Sequence, residues 1–455
     1  MPYLFPKKRL VALIAAVLVA LMAVVLAAGC GAKKEGETGK TDKNGERVML
    51  TWPTSYFDNQ RDGRSPYTGP NAVEVKWTYD AAAQDRYSWA VIGKDGSIIS
   101  GFLGKIASIN PDSGSLAWEF PVGNFEATTC AVAEDGTVYG SAGNTVYALS
   151  SKGKQKWTYD MGSEADEPTC GSDGTVYVGS TGGRLVALSD DGRLIWEYKA
   201  PGNIRSPSID EDGNLYCGGS TLVMYALDED GKEKWVFKPE GDLPLYEGLI
   251  SWQNTLAMPS IGDDGTIYAG SFIMPTGITT TGQIIPNYSI PTPGKLYAIT
   301  PKGQKKWEYS RPETNSILKT PSIGKDGTLY AGTSCWKVLA LKPEDGSIIW
   351  EFDTIEKTNE CPSVYSPTIG KKDGLLYAAT TNARIFCITP DGKEQWQYSA
   401  GNPWLQGPEG QPMMGGSNNF TPPPIGDDGA LYSVLAEGKV FSFKSTSGSD
   451  TGGTP

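Results

Sequence analysis

Histidine is absent from all 455 residues of this chain. That removes the imidazole ligand of zinc and haem sites and the base of Ser-His-Asp and Cys-His nucleophiles. It also removes the side chain that most readily titrates near neutral pH. Catalysis would have to rely on Asp, Glu, Lys or a cofactor. Cysteine is scarce: there are 7, and no two are adjacent. Positive charge is in deficit, 40 Lys and Arg against 52 Asp and Glu, for a net charge of −12. An acidic surface repels phosphate backbones, so nucleic acid is not an expected partner. After residue 30 no apolar run is long enough to span a bilayer.

The chain is rich in turn and strand formers instead. It has 56 Gly and 31 Pro, with 22 Tyr and 13 Trp among the aromatics. That composition points to an all-β fold.

The first residues read as an address. Lys7, Lys8 and Arg9 precede an unbroken apolar run that ends "LAAGC" at Cys30. A basic start, an apolar run and small residues mark a secretory signal. The ending resembles a bacterial lipobox, with Ala27 where Leu is commoner. The expectation is a signal peptide over 1–29 and lipid attached to Cys30, with two or more acyl chains for stable anchoring. Residues 31–50 are mostly charged or small and cannot form a core, so 30–50 reads as a flexible tether. Such a tether reaches about 25 Å.

From there the chain repeats itself. "IGKDGTLYAG" begins at 323, "IGDDGTIYAG" at 261, "IDEDGNLYCG" at 209, "GSDGTVYVG" at 171 and "AEDGTVYG" at 133. "IGKDGSIISG" at 92, "IGKKDGLLYA" at 369 and "IGDDGALYS" at 425 are further copies. Each copy carries Asp-Gly, at Asp95, Asp135, Asp173, Asp212, Asp264, Asp326, Asp373 and Asp428. Asp-Gly suits a two-residue hairpin turn. Calcium loops are the alternative, but the EF-hand ligand spacing is missing. Each unit reads as four short strands, the last carrying Trp: Trp118, Trp157, Trp196, Trp235, Trp307, Trp350 and Trp396. The eighth unit lacks that Trp, while "VEVKWTYD" near residue 77 is a fourth strand with no first three. Trp77 therefore completes the eighth sheet and closes a ring. The predicted fold is an eight-bladed β-propeller of four-stranded antiparallel blades over 51–445, closed by an N-terminal strand, with a disordered tail at 446–455.

"ASINPDSGSLAWEF" (107–120) and "ALKPEDGSIIWEFD" (340–353) resemble the tryptophan-docking motif of pyrroloquinoline-quinone-like propellers. That family includes quinoprotein dehydrogenases and the propeller lipoprotein of the outer-membrane β-barrel assembly machine. The resemblance implies that the docking Trp rings pack between blades. It does not carry the quinone or calcium over, because the adjacent Cys pair, the haem motif and the metal carboxylates have no counterpart here. No catalytic residue, cofactor or metal site is assigned.

Function is sought where the repeat breaks. Long insertions fall at 239–256, 272–293, 354–364 and 400–420, all in strand two-to-three loops or blade-to-blade links. These open on one face. Loops on a rigid scaffold are the usual place for binding. The candidate contact residues there are Trp252, Asn254, Trp336, Asn402, Trp404, Asn418 and Asn419, suited to a protein or a glycan. Trp89, Asp166, Arg205 and Lys319 stand before inner strands and are candidates for the mouth of the central channel. Cys335 and Cys361 fall on the same rim, either as a disulfide or as two free thiols. Cys217 and Cys387 read as buried small hydrophobes. The expectation is a monomeric, lipid-anchored, extracytoplasmic lipoprotein that binds protein or polysaccharide without catalysis. The alternative is a quinone- or metal-dependent oxidoreductase, or another enzyme, using the channel.

Overall fold

Residues 169–199 show how one repeat becomes one sheet. Thr169–Cys170, Val176–Val178, Arg184–Leu188 and Leu194–Lys199 pair side by side in that order, all antiparallel. The middle strands are buried except at Arg184, where the third strand begins, and the outer strand turns residues to solvent. Sheets with a neighbour on each face need apolar residues at consecutive positions, which is why "TVYVG" and "RLVAL" do not alternate.

The computed structural model describes residues 58–82, 88–220, 222–239, 255–272, 276–278, 284–286, 294–311, 319–334, 336–354, 363–401 and 419–446. They form the eight predicted blades. Units two, three, four, six and seven are simple four-stranded sheets. In unit one the second and third strand positions fall in a single run, Ile98–Ile109, with Gly104 at φ 86° between them. Unit five gains an extra strand, Thr255–Leu256, against Phe272 and Ser271, and its insertion forms a hairpin of Thr276–Ile278 with Ile284–Pro286. Unit eight pairs Leu431–Leu435 with Lys439–Lys444, and Glu74–Asp80 completes it from Glu74↔Lys444 to Asp80↔Lys439. Its inner strand shrinks to an Ile425–Leu431 bridge, because Pro422, Pro423 and Pro424 have no N–H to give a ladder.

The docking Trp residues pack between blades. Each indole N–H donates to a carbonyl in the neighbouring blade: Trp77 to Pro111 at 2.7 Å, Trp157 to Asp190 at 2.7 Å, Trp350 to Pro390 at 2.9 Å. A turn glycine lies against every ring but that of Trp396, and a strand-two tyrosine flanks every ring but that of Trp118, as Tyr139 does at 5.6 Å from Trp157. Trp396 has no ordinary turn to dock on, because unit eight is assembled from both ends of the fold. It donates to Pro70 O instead, at 3.1 Å.

The Asp-Gly turns differ from the expectation. Gly96 N–H bonds Gly93 O at 2.9 Å and Gly93 N–H bonds Ser97 O at 2.8 Å, and only the glycine has positive φ. This is a three-residue loop with a glycine bulge, not a two-residue turn, which would need positive φ at two residues. Except in unit four, where Asp210 takes the role, the aspartate accepts from the backbone two residues on, and its second oxygen takes the Thr hydroxyl in Thr137, Thr175, Thr266 and Thr328. The "DGT" spelling is that carboxylate cap.

Residues 58–70, outside any repeat, lie across the Asp-Gly end of the channel as a strap. Ile209, Ile261, Ile323 and Ile369 donate their N–H groups to Asn59, Gln60, Asp62 and Gly63 at 2.7–2.9 Å. The innermost strands otherwise present an unpaired edge there, and the strap's carbonyls satisfy it. Gly63 is tight: a Cβ would fall 2.5 Å from Ser322 Oγ. Arg61 points into the channel and is 1 % exposed, bonding Glu167 at 2.8 Å and Thr169 Oγ1 at 3.1 Å. Arg64 reaches Asp263 of the unit-five turn at 2.7 Å. The acidic Asp-Gly face is thus partly spanned by the chain's own N-terminal segment.

Candidate functional site

The opposite end of the channel begins where each link turns into an inner strand. The four residues expected there fall in two groups. Asp166 and Arg205, one blade apart, form an ion pair of 3.1 Å, and Asp166 also accepts the Ser206 N–H at 2.9 Å. Burial pushes the Asp166 carboxyl above the usual range, while the Arg205 guanidinium opposes that shift. The pair sits in a cleft of about 310 Å3 with Thr129, Glu164, Glu167 and Thr181. Glu167 is the residue that Arg61 grips, so the strap at one end of the channel fixes a carboxylate of the cleft at the other.

Lys319 and Trp89 form the second group through a residue not foreseen, Tyr365. The Lys319 ammonium lies 5.2 Å from the Tyr365 ring centroid, and Trp89 meets the same ring edge-on at 6.0 Å. These three belong to blades six, seven and one. Burial lowers the Lys319 pKa from the usual lysine value. Thr129 joins the groups: its Oγ1 accepts the Trp89 N–H at 3.1 Å and also lines the cleft. Aligning the repeats would have exposed Tyr365, which occupies in unit seven the place of Lys319 in unit six. Arg61 carried no such signal, since its segment has no counterpart in the other units.

The rim candidates divide differently. Trp336 sits in the two-to-three turn of blade six at φ 64°, a conformation that Gly183 and Gly438 supply in blades three and eight. Its carbonyl accepts the Thr354 N–H and hydroxyl at 2.9 and 2.7 Å, and its side chain is partly exposed. Asn419, expected on the contact surface, is 9 % exposed, and its carbonyl accepts the Ala436 N–H at 3.0 Å. It ties the last link to blade eight, so it is corrected from contact residue to buried support. Trp252, Asn254, Asn402, Trp404, Asn418, Cys30, Cys335 and Cys361 lie outside the described residues. Cys130, Cys170, Cys217 and Cys387 are buried and free, and burial pushes the Cys130 thiol up to about 12. Among the described residues, no group of His, Cys, Asp or Glu is placed to hold a metal ion.

The repeat, the docked tryptophans and the closing strand agree with a family comparison. The model described as outer membrane protein assembly factor BamB matches residues 74–167, 161–331 and 247–451. The chain belongs to this BamB family. Among solved structures, BamB from Moraxella catarrhalis superposes with a TM-score of 0.59 at 16% identity, covering 82% of this chain and 100% of that one. A computationally designed protein, Ika8, gives 0.60 at 12% identity, covering 82% and 99%. At such identities the likeness shows the fold alone. No curated protein matches the chain at a significant level. The family matches begin at residue 74, after the strap.

Proposed function

We propose that this protein is an envelope lipoprotein, anchored through lipid on Cys30, whose propeller is a non-catalytic scaffold for a protein or polysaccharide partner. The observation that carries the reading is the difference between the two ends of the channel. The Asp-Gly end is crossed by the strap through Ile209, Ile261, Ile323 and Ile369. The other end holds the cleft and the Trp89–Tyr365–Lys319 group, and it is the end to which the repeat pattern assigns the long connections. Membership in a family described by an outer-membrane assembly factor supports placement at the envelope.

The test combines anchoring with capture. Cys30→Ser should remove the protein from the detergent phase or leave it as uncleaved precursor. In the anchored protein, replacing 272–293 by a short turn should keep the fold, since closure entropy changes slowly with loop length. It should weaken capture of the partner cross-linked in native membranes. Asp191→Lys and Asp230→Lys, in turns at the Asp-Gly end, should leave capture unchanged. The reverse pattern would place the working surface on the wrong face. One observation favours the second reading, an enzyme using the channel: Asp166 is a carboxyl raised by burial inside a cleft. Its ion pair with Arg205 gives that same carboxyl a structural role.

A further inference from the structure

The eight repeats act as internal controls for one position, the residue that opens each inner strand at the channel mouth. Ser88, Thr128, Ala257 and Thr421 occupy it in four units, so the fold itself requires no charge there. Asp166 and Arg205 are charged but sit in adjacent blades and neutralise each other at 3.1 Å. Lys319 is different. Among the described residues no carboxylate lies within ion-pair distance of its ammonium, and no hydrogen bond leaves it. Its contact is the face of Tyr365, which Trp89 buttresses edge-on.

A partly buried ammonium without a counter-charge is costly unless something anionic completes it. The aromatic face offsets part of that cost and excludes water from one side. We propose that Lys319, with Tyr365 and Trp89 as walls, receives an acidic side chain, Asp or Glu, from an extended segment of a partner protein lying across the channel mouth. A protein segment fits better than a lone carboxylate because the polar surface continues. From Trp89 it passes through Thr129 to the cleft, where Thr181, Asn203 and Glu164 offer further hydrogen-bonding groups. The buried Asn203 Oδ1 there has no donor. The strap lies across the far end, so the segment would approach and leave by the open face. The inference rests on reading that face as the working one.

The probe is a fluorescein-labelled peptide, Ala-Glu-Ala-Glu-Ala, titrated by anisotropy at low salt into the purified full chain. Saturable binding should weaken about tenfold or more in Lys319→Met and in Lys319→Gln, and survive largely in Lys319→Arg, as expected for loss of a desolvated charge pair. The Gln-for-Glu peptide should weaken equally. Lys325→Met, in the Asp-Gly turn of the same blade, should change nothing. Matching melting curves establish that the variants are folded, and Trp89→Leu provides a second route that keeps the charge and removes a wall. Unchanged binding in both Lys319 variants overturns the proposal. So does an equal loss in Lys325→Met, which would mean only a diffuse field. Displacement of the peptide by free glutarate at equal affinity would assign the site to small carboxylates instead. If Lys319→Met keeps full partner capture in membranes while the 272–293 replacement loses it, the open face stands and this site falls.

Discussion

Trp157 shows what a docking residue contributes. Its N–H reaches Asp190 O at 2.7 Å, its ring lies on Gly192, and Tyr139 flanks it at 5.6 Å. Trp157→Ala should cost about 3–5 kcal/mol, as for other large-to-small aromatic changes. Trp157→Phe keeps most of the ring contact and loses the hydrogen bond, so about 1 kcal/mol is expected. Denaturant midpoints of the two variants measure the difference, and equal losses would mean that packing is not the main term. Asp58 makes a second residue-scale prediction. Burial, with the neighbouring Asp62 carboxylate, raises its pKa to about 7. The folded state therefore holds that proton more tightly than the unfolded chain does. Its contribution is fully present at low pH, and stability falls as pH rises from about 4 towards about 7. Asp58→Asn should flatten that decline. An unchanged melting profile against pH would show that Asp58 is ionised in the fold like an ordinary carboxylate.

The strap is the element with the most distinctive energetics. Each of its five main-chain bonds to the inner strands, the fifth being Ser65 N–H to Ile369 O at 2.8 Å, contributes about 1 kcal/mol. The buried Arg61–Glu167 pair behaves otherwise: breaking it from one side leaves an uncompensated charge and costs about 3–5 kcal/mol. Arg61→Met and Glu167→Gln should each destabilise strongly, and the double variant should recover much of the loss. A double-mutant cycle reads the coupling; additive losses would mean that the two charges do not meet in solution. Little of this element was legible in the sequence. Its pairing with the inner strands runs through main-chain groups, which leave no side-chain pattern, and the segment "DNQRDGR" has no repeat to be aligned with. The turns were half legible. The Asp-Gly spelling located all eight, but the hand of the turn depends on whether one residue or two takes positive φ, and that is set by the strands it joins.

At the scale of the whole molecule, closure is shared between two N-terminal pieces. Glu74–Asp80 completes blade eight, with Trp77 docked on blade one, while Pro70 just before it receives the Trp396 indole of blade seven. Trp77→Ala should cost about 3–5 kcal/mol. Deleting residues 73–80 should do worse, leaving Lys439–Lys444 as an open edge prone to association. Light scattering and melting temperature check this, and a deletion melting like the intact protein would end the closure account. The sequence by itself determined the blade number, the strand order within each blade and the need for ring closure. Those follow from a repeated pattern in which each copy buries the same positions against its neighbours. Only the tertiary structure decided which of the channel residues meet. Trp89, Lys319 and Tyr365 come from three blades, and Arg61 meets Glu167 across 106 residues of chain. Closing the ring brings such positions together, and no local periodicity records a distance measured across a circle.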